Sequence, residues 1–228
     1  MNYPRIVPFG EGVPPPVEGT GRGYPDAVTT LDALRSEAAG CRACPLWKTG
    51  TQTVFGEGAA RATVMFVGEQ PGDQEDRAGR PFVGPAGRVL DEALEAAGID
   101  RGAAYVTNVV KHFKWEARGK RRIHAKPSWT EVAACRPWLD GELEIVRPEV
   151  LVCLCATAAQ ALLGRAFRVM NQRGRWVESD LAPRVTATIH PSAILRQRTD
   201  EDRRREMAAF VVDLSLEQSV LDGANAKR

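Results

Sequence analysis

The sequence predicts an α/β fold in which a short, mostly parallel sheet is covered by helices on both faces. Three observations predict it. Four β-prone, largely apolar runs, at 63–67, 105–110, 150–155 and 185–189, suit strands of a sheet covered on both faces. Segments with helical spacing separate them, so strand and helix alternate along the chain. Polar and titratable residues fall directly after these runs, where open parallel sheets bind ligands.

Taken in order, residues 1–25 hold six prolines and five glycines and read as an extended or disordered arm. Leu31, Leu34 and Ala38 share one helical face, and Gly40 should stop that helix. The first strand, 63–67, ends at Gly68. Residues 85–97 form a helix with Val89, Leu90, Ala93, Leu94 and Ala97 on one face and Gly98 as its stop. The second strand is 105–110. Ser128 and Glu131 make a capping box, and Pro137 should interrupt or kink the helix it opens. The third strand, 150–155, leads into an Ala-rich helix ending at Leu163, and 185–189 is the last strand. A final helix carries Asp200, Glu201 and Asp202 in its first turn and Met207, Phe210, Val211 and Leu214 on its apolar side. A polar tail follows Val220. Residues 26–220 thus make one domain, between the arm and the 221–228 tail.

Hydrophobic residues make up 43% of the 228 and charged residues 26%, enough for a core and too much for wholesale disorder. No apolar run reaches the roughly 18 residues of a membrane span, and no secretory signal opens the chain, so a cytoplasmic location is expected. The net charge is only +2, so any polyanion partner must be met by local charge. That charge is concentrated between Lys111 and Lys126, where Lys114, Arg118, Lys120, Arg121 and Arg122 are opposed by Glu116 alone and interleaved with Phe113 and Trp115. A basic loop with aromatics is what a nucleic-acid backbone contact needs, although most charge runs are simply solvated.

Two Gly/Pro-rich loops follow the first strand. Gly68–Asp73 is dense in polar groups, and 79–87 opens a helix whose amides should be available to an anion or an oxygen-rich ligand. Neither is a P-loop or a dinucleotide fingerprint. His190, at the end of the last strand, faces the Glu69 loop along the same sheet edge. His124 closes the run Arg121-Arg122-Ile123, where neighbouring positive charge should keep its imidazole neutral, as a base or nucleophile requires. Five cysteines are an odd number, with Cys41-x-x-Cys44 and Cys153-x-Cys155 among them. Cys41 and Cys44 need further donors from His112, Cys135, Cys153 and Cys155. The last two sit in an apolar strand where cysteine acts as a small hydrophobe, and three Cys with one His would suit zinc or an iron–sulfur cluster.

The order of motifs is distinctive. It runs Cys41-x-x-Cys44-Pro45-Leu46, Val54-Phe55-Gly56-Glu57-Gly58, Phe66-Val67-Gly68-Glu69-x-Pro71-Gly72, Gly79-Arg80-Pro81-Phe82-Val83-Gly84-x-Ala86-Gly87, Tyr105-Val106-x-Asn108-Val109-Val110-Lys111, Ala134-Cys135-Arg136-Pro137 and His190-Pro191-Ser192. Over roughly residues 30–215 it resembles the iron–sulfur (family 4-type) uracil-DNA glycosylases. Gly68-Glu69-Gln70-Pro71-Gly72 and the insert Lys120-Arg121-Arg122-Ile123-His124 resemble their X subfamily, whose members become covalently trapped on uracil-containing DNA.

The resemblance implies a three-layer α/β/α sandwich and a [4Fe–4S] cluster. Cys41, Cys44 and Cys135 match three cluster cysteines, and His112 stands where the family has a fourth. It implies that Phe82 stacks on a flipped-out uracil, that Asn108 reads its amide edge, and that Gln70 and Asp73 belong to the same uracil pocket. His190 and the turn amides near Gln70 would stabilise the departing base. Glu69 would act on His124, and His124 would attack the sugar C1′ in a single turnover. Lys120, Arg121, Arg122 and Arg196 would meet the DNA. The implied partner is uracil-containing DNA, single-stranded or flipped out, bound by a monomer.

Overall fold

The computed structural model describes residues 30–225, with side chains described to Leu216. The expected arm over residues 1–25 lies outside the described residues.

In chain order the elements are α1 (Leu31–Ala38), β1 (Glu57–Gly58), β2 (Val64–Gly68), α2 (Asp73–Ala78), α3 (Pro85–Ala96), β3 (Tyr105–Asn108), β4 (Trp115–Arg118), β5 (Arg121–His124), α4 (Trp129–Val146), β6 (Val150–Leu154), α5 (Ala156–Leu163), α6 (Val169–Gln172), β7 (Arg184–Thr188), α7 (Pro191–Leu195) and α8 (Asp200–Asn225). The main sheet has the order β1-β3-β2-β6-β7. It is parallel except for β1, which pairs antiparallel with β3 at one edge. Every residue of β2, β3 and β6 is buried, as cover on both faces requires. α1 packs on α4, and α3 packs against α7 and α8. The chain leaves central β2 for β3 on one side and later reaches β6 on the other. The reversal places a crevice at the carboxyl ends of β2 and its neighbours.

The four expected strands and the long helices are present, with ends shifted by a residue or two. Thr30 caps α1, and Ser128 and Glu131 cap α4 reciprocally. Pro137 does not interrupt α4, which runs on to Val146. The cost of its missing N–H is confined to one turn inside a packed helix. α8 continues through Asn225, past the expected boundary at 220.

Two local features differ from expectation. The segment after Gly72 is not loop but the short helix α2, ended by Gly79 at φ 71°. The basic loop is a hairpin, with β4 and β5 paired from Trp115 opposite His124 to Arg118 opposite Arg121. Its two-residue turn uses Gly119 at φ 60°, a conformation that glycine adopts without strain. Alternation was hidden there because neither face of the hairpin is fully buried.

Candidate active site

A cavity of about 780 Å³ opens at the carboxyl ends of the strands. Glu69, Gln70, Asp73, Phe82, Asn108, His124, His190 and Arg196 all line it, so eight residues distant in sequence meet in one place.

Register begins the assembly. Gly68 pairs with Asn108 across β2 and β3. Beyond the strand ends, the Val110 amide donates to the Glu69 carbonyl at 3.0 Å, which fixes the backbone that carries Glu69. A side chain on Gly68 would strike the Asn108 side chain and come within 2.8 Å of Phe82 Cζ, so glycine is required there. Asn108 is buried, yet its side-chain amide makes no hydrogen bond among the described residues and faces the cavity. Its polar atoms are reached through the cavity, so a ligand there can meet them. Its main-chain carbonyl accepts from Lys111 Nζ at 2.8 Å, and that ammonium also pairs with Glu142 at 2.5 Å. Glu142 further accepts from the Gly56 amide, Tyr105 and Thr107.

Phe82 holds φ 55°, a left-handed conformation costing an aromatic residue on the order of 1–3 kcal/mol. The turn closes against Gly87, where any Cβ would collide with the Phe82 carbonyl. The ring is thereby held over the cavity, 6.2 Å from the His190 ring and tilted by 25°. The amides of this loop are not all free, contrary to expectation. Glu75 accepts from the Gly84 amide at 2.7 Å and from the Gly72 amide at 3.1 Å, so an internal carboxylate occupies the anion position.

His124 Nε2 lies 3.5 Å from Glu69 Oε1. The other Glu69 oxygen accepts from the Thr157 hydroxyl at the start of α5, which turns the carboxylate toward the hairpin. Although half-exposed, the His124 ring is desolvated enough at the cavity wall to lower its pKa, opposed by Glu69 and assisted by Arg196. The imidazole is thus kept neutral, but not by the insert's own arginines. Arg122 is committed to carboxylates, donating to Asp73 at 2.5 Å and Asp76 at 2.7 Å over the Phe113 and Trp115 rings. Phe113 is core, and Trp115 donates to the Thr49 carbonyl at 2.9 Å. These aromatics therefore anchor the hairpin. Lys120 and Arg121, at its tip, are exposed and make no ion pair among the described residues.

Gln70 is also an anchor. Its side chain donates to the Lys114 and Ala125 carbonyls at 3.1 and 3.0 Å and accepts from the Lys114 amide at 3.1 Å. Asp73 is held by Arg77 and Arg122. Both line the cavity, but their polar groups are committed to holding its wall.

His190 Nδ1 accepts from the Ser192 amide at 3.1 Å, so the ring proton resides on Nε2. Burial, with Arg196 and His124 nearby, holds its pKa down to about 4. A neutral N–H donor results. Arg196 donates to the Ser192 hydroxyl at 3.0 Å. Sequence reading missed Thr157, Glu75, Asp76, Lys111 and Glu142, whose roles depend on contacts between distant segments.

Cys41, Cys44 and Cys135 come within electrostatic reach of one another, and burial pushes the Cys135 thiol up to about 12. The Lys111 amide donates to Cys135 Sγ at 3.2 Å, and Trp138 Nε1 donates to Cys41 Sγ at 3.2 Å. N–H donors aimed at enclosed sulfurs suit thiolate ligation of a metal group. His112 Nε2 lies 3.1 Å from the Thr53 hydroxyl. Among the described residues no three His, Cys, Asp or Glu side chains converge on a single-ion site. Cys153 is wholly buried within β6, as a small hydrophobe would be.

The fold and this cavity define a class. The chain belongs to the uracil DNA glycosylase superfamily, whose family model matches residues 55–215. Within it, the chain is 41% identical over 175 residues to a Type-4 uracil-DNA glycosylase of Thermotoga maritima, covering 76% of this chain and 88% of that one. It is 34% identical over 196 residues to the Type-4 uracil-DNA glycosylase of Sulfurisphaera tokodaii, covering 79% and 86%. A Type-5 uracil-DNA glycosylase of Pyrobaculum aerophilum is 32% identical over 181 residues, covering 72% and 76%. Among the described residues no helix is long and apolar enough to cross a membrane.

Proposed function

We propose that the chain is a DNA-repair glycosylase of the iron–sulfur type that excises uracil from DNA and then bonds through His124 to the sugar it leaves. It acts as a monomer in the cytoplasm, on single strands or flipped-out bases. The observation that carries this reading is the Asn108 amide, open to the cavity beside Phe82 and without a hydrogen bond among the described residues, with the Glu69–His124 pair in the same cavity. One amide offers a donor to uracil O4 and an acceptor to N3–H, a pattern that cytosine reverses. Phe82 offers a face for stacking.

The C1′–N1 bond breaks with its electron pair on uracil, where the His190 Nε2–H donor meets the developing charge. C1′ gains oxocarbenium character. Glu69 takes the His124 Nε2 proton, the freed lone pair bonds to C1′, and the proton passes on to the departing base. Atoms balance as one uracil released and one protein–sugar bond formed. Lys120, Arg121 and Arg196 meet phosphates, while Arg122 holds the hairpin on which His124 rides.

Cys41, Cys44, Cys135 and His112 would hold a [4Fe–4S] cluster. When bound, such a cluster supplies iron–ligand bonds that tie the end of α1 to α4. Iron analysis of the purified protein should give about four irons per chain, and zinc alone would overturn that assignment.

Boiling the protein in detergent with a uracil-containing oligonucleotide tests the main reading. A shifted band that survives, and that disappears in His124→Ala while uracil release persists, supports it. Alkali-labile sites without a band mean that water captures the sugar and the enzyme turns over. A reaction that gives neither a surviving band nor an alkali-labile site would leave only a DNA-binding module.

A further inference from the structure

A second cavity of about 400 Å³ adjoins the first and shares Cys155, Ala156, His190 and Arg196 with it. Its far wall is α6 and the turn before it, with Phe167, Arg168 and Met170. Met170 is 72% exposed, an unusual position for a thioether that has no core to enter. No Asp or Glu lines this groove, whereas Glu69, Asp73 and Glu75 line the first. Arg168 donates to the Arg165 and Phe167 carbonyls at 2.9 and 3.2 Å, which fixes its guanidinium in place. Neither Arg168 nor Arg196 pairs with a carboxylate among the described residues.

We propose that this groove binds the nucleotide next to the flipped uridine, on one side of a single DNA strand. Its phosphate lies between Arg168 and Arg196, and its base rests on Met170. The inference rests on the glycosylase reading above. Two observations select the occupant: the groove is continuous with the cavity that takes uracil, and its only charged lining residues are Arg168 and Arg196. A strand leaving the first cavity across the shared wall of His190 and Arg196 enters this groove. An apolar floor and a thioether accept any base face, so the contact adds affinity without sequence preference.

The test uses two sets of single-stranded oligonucleotides of equal length. One carries uracil near the 5′ end, the other near the 3′ end. For each, the half-saturating protein concentration and the saturating single-turnover rate of uracil release are measured. Arg168→Ala should raise the half-saturating concentration roughly tenfold on one set only. The saturating rate should not change, and the salt slope of affinity should fall by about 0.7, one phosphate contact on a single strand. Arg168→Lys should restore most of the loss. Met170→Ala should weaken the same set roughly fivefold to tenfold. Equal losses on both sets, no loss, or a fall in the saturating rate would overturn the proposal. If the unaltered protein releases no uracil, the glycosylase reading fails instead. The groove is then read by anisotropy with a fluorescent uracil-free strand, where an unchanged salt slope in Arg168→Ala overturns it and a reduced one supports it.

Discussion

His124 Nε2 stands 3.5 Å from Glu69 Oε1, at the meeting of two segments that have no contact in sequence. Desolvation at the cavity wall lowers the pKa of this imidazole, and Glu69 partly restores it. In the capture step proposed above the neutral ring is the reactive form, so sugar capture should be flat near neutral pH. It should fall as the pH drops through a value below that of an ordinary histidine, about 6.5. Glu69→Gln removes the restoring charge. Its acid limb should therefore move to lower pH, while its plateau drops by roughly tenfold or more for want of a proton acceptor. Crosslinking rates measured from mildly acidic to mildly alkaline pH decide this. An unmoved limb in Glu69→Gln would disconnect the pair.

His190 should behave differently, because its folded-state pKa of about 4 keeps it neutral over the working range. Its loss in His190→Phe should slow uracil release by about 10²–10³, the value of one donor to a developing charge. His190→Asn should recover part of the loss. The same shift affects stability. As pH falls from about 6.5, the unfolded chain takes up a proton that the folded chain resists down to about 4, so stability declines across that window by up to about 3 kcal/mol. His190→Asn should flatten that decline in denaturation curves taken at each pH.

The hairpin is held at its neck by Gln70 and on its face by Arg122. Gln70→Ala and Arg122→Ala should each reduce crosslinking several-fold or more, with uracil release less affected, because the nucleophile loses its position and the uracil pocket does not. Measuring free uracil and shifted band in one reaction separates the two steps. A parallel loss of both would place these residues in base recognition instead.

Lys111 and Glu142 form a fully enclosed ion pair at 2.5 Å, with exposures of 1% and 0%. Removing one partner strands the other charge in the core, at about 3–5 kcal/mol. Glu142→Leu also orphans the Gly56 amide and the Tyr105 hydroxyl and removes the acceptor of the Thr107 hydroxyl, so it should cost more than Lys111→Met. Urea denaturation midpoints give the order, and the reverse order would contradict this account.

The sheet was legible because β2, β3, β6 and β7 fall on β-prone, largely apolar stretches, and both capping residues of α4 are local in sequence. The hairpin was not, because its strands are short, charged and solvent-facing on one side. Glu69, His124, His190 and Asn108 stood out through the motif resemblance, and the strand ends they occupy agreed with it. The work of Gln70 and Arg122 was hidden. A glutamine and an arginine near a cavity read as ligand contacts until their partners, Lys114, Ala125, Asp73 and Asp76, are seen to come from other segments. Glu75 was hidden for the same reason, since a carboxylate at a helix start looks solvated until the Gly84 amide arrives from the next loop.

That last contact also limits how far this site can be re-engineered. Glu75 holds Gly72 and Gly84 with one side chain, and a methyl group on either glycine would crowd its oxygens to 2.6 and 2.8 Å. The two loops that wall the cavity are thus riveted together and cannot be spread independently. A library that lengthens or reshapes one loop to admit a bulkier base would break the rivet before it widened the opening. Room for a larger base has to come from trimming a side chain that faces the cavity, with both loops left as they are.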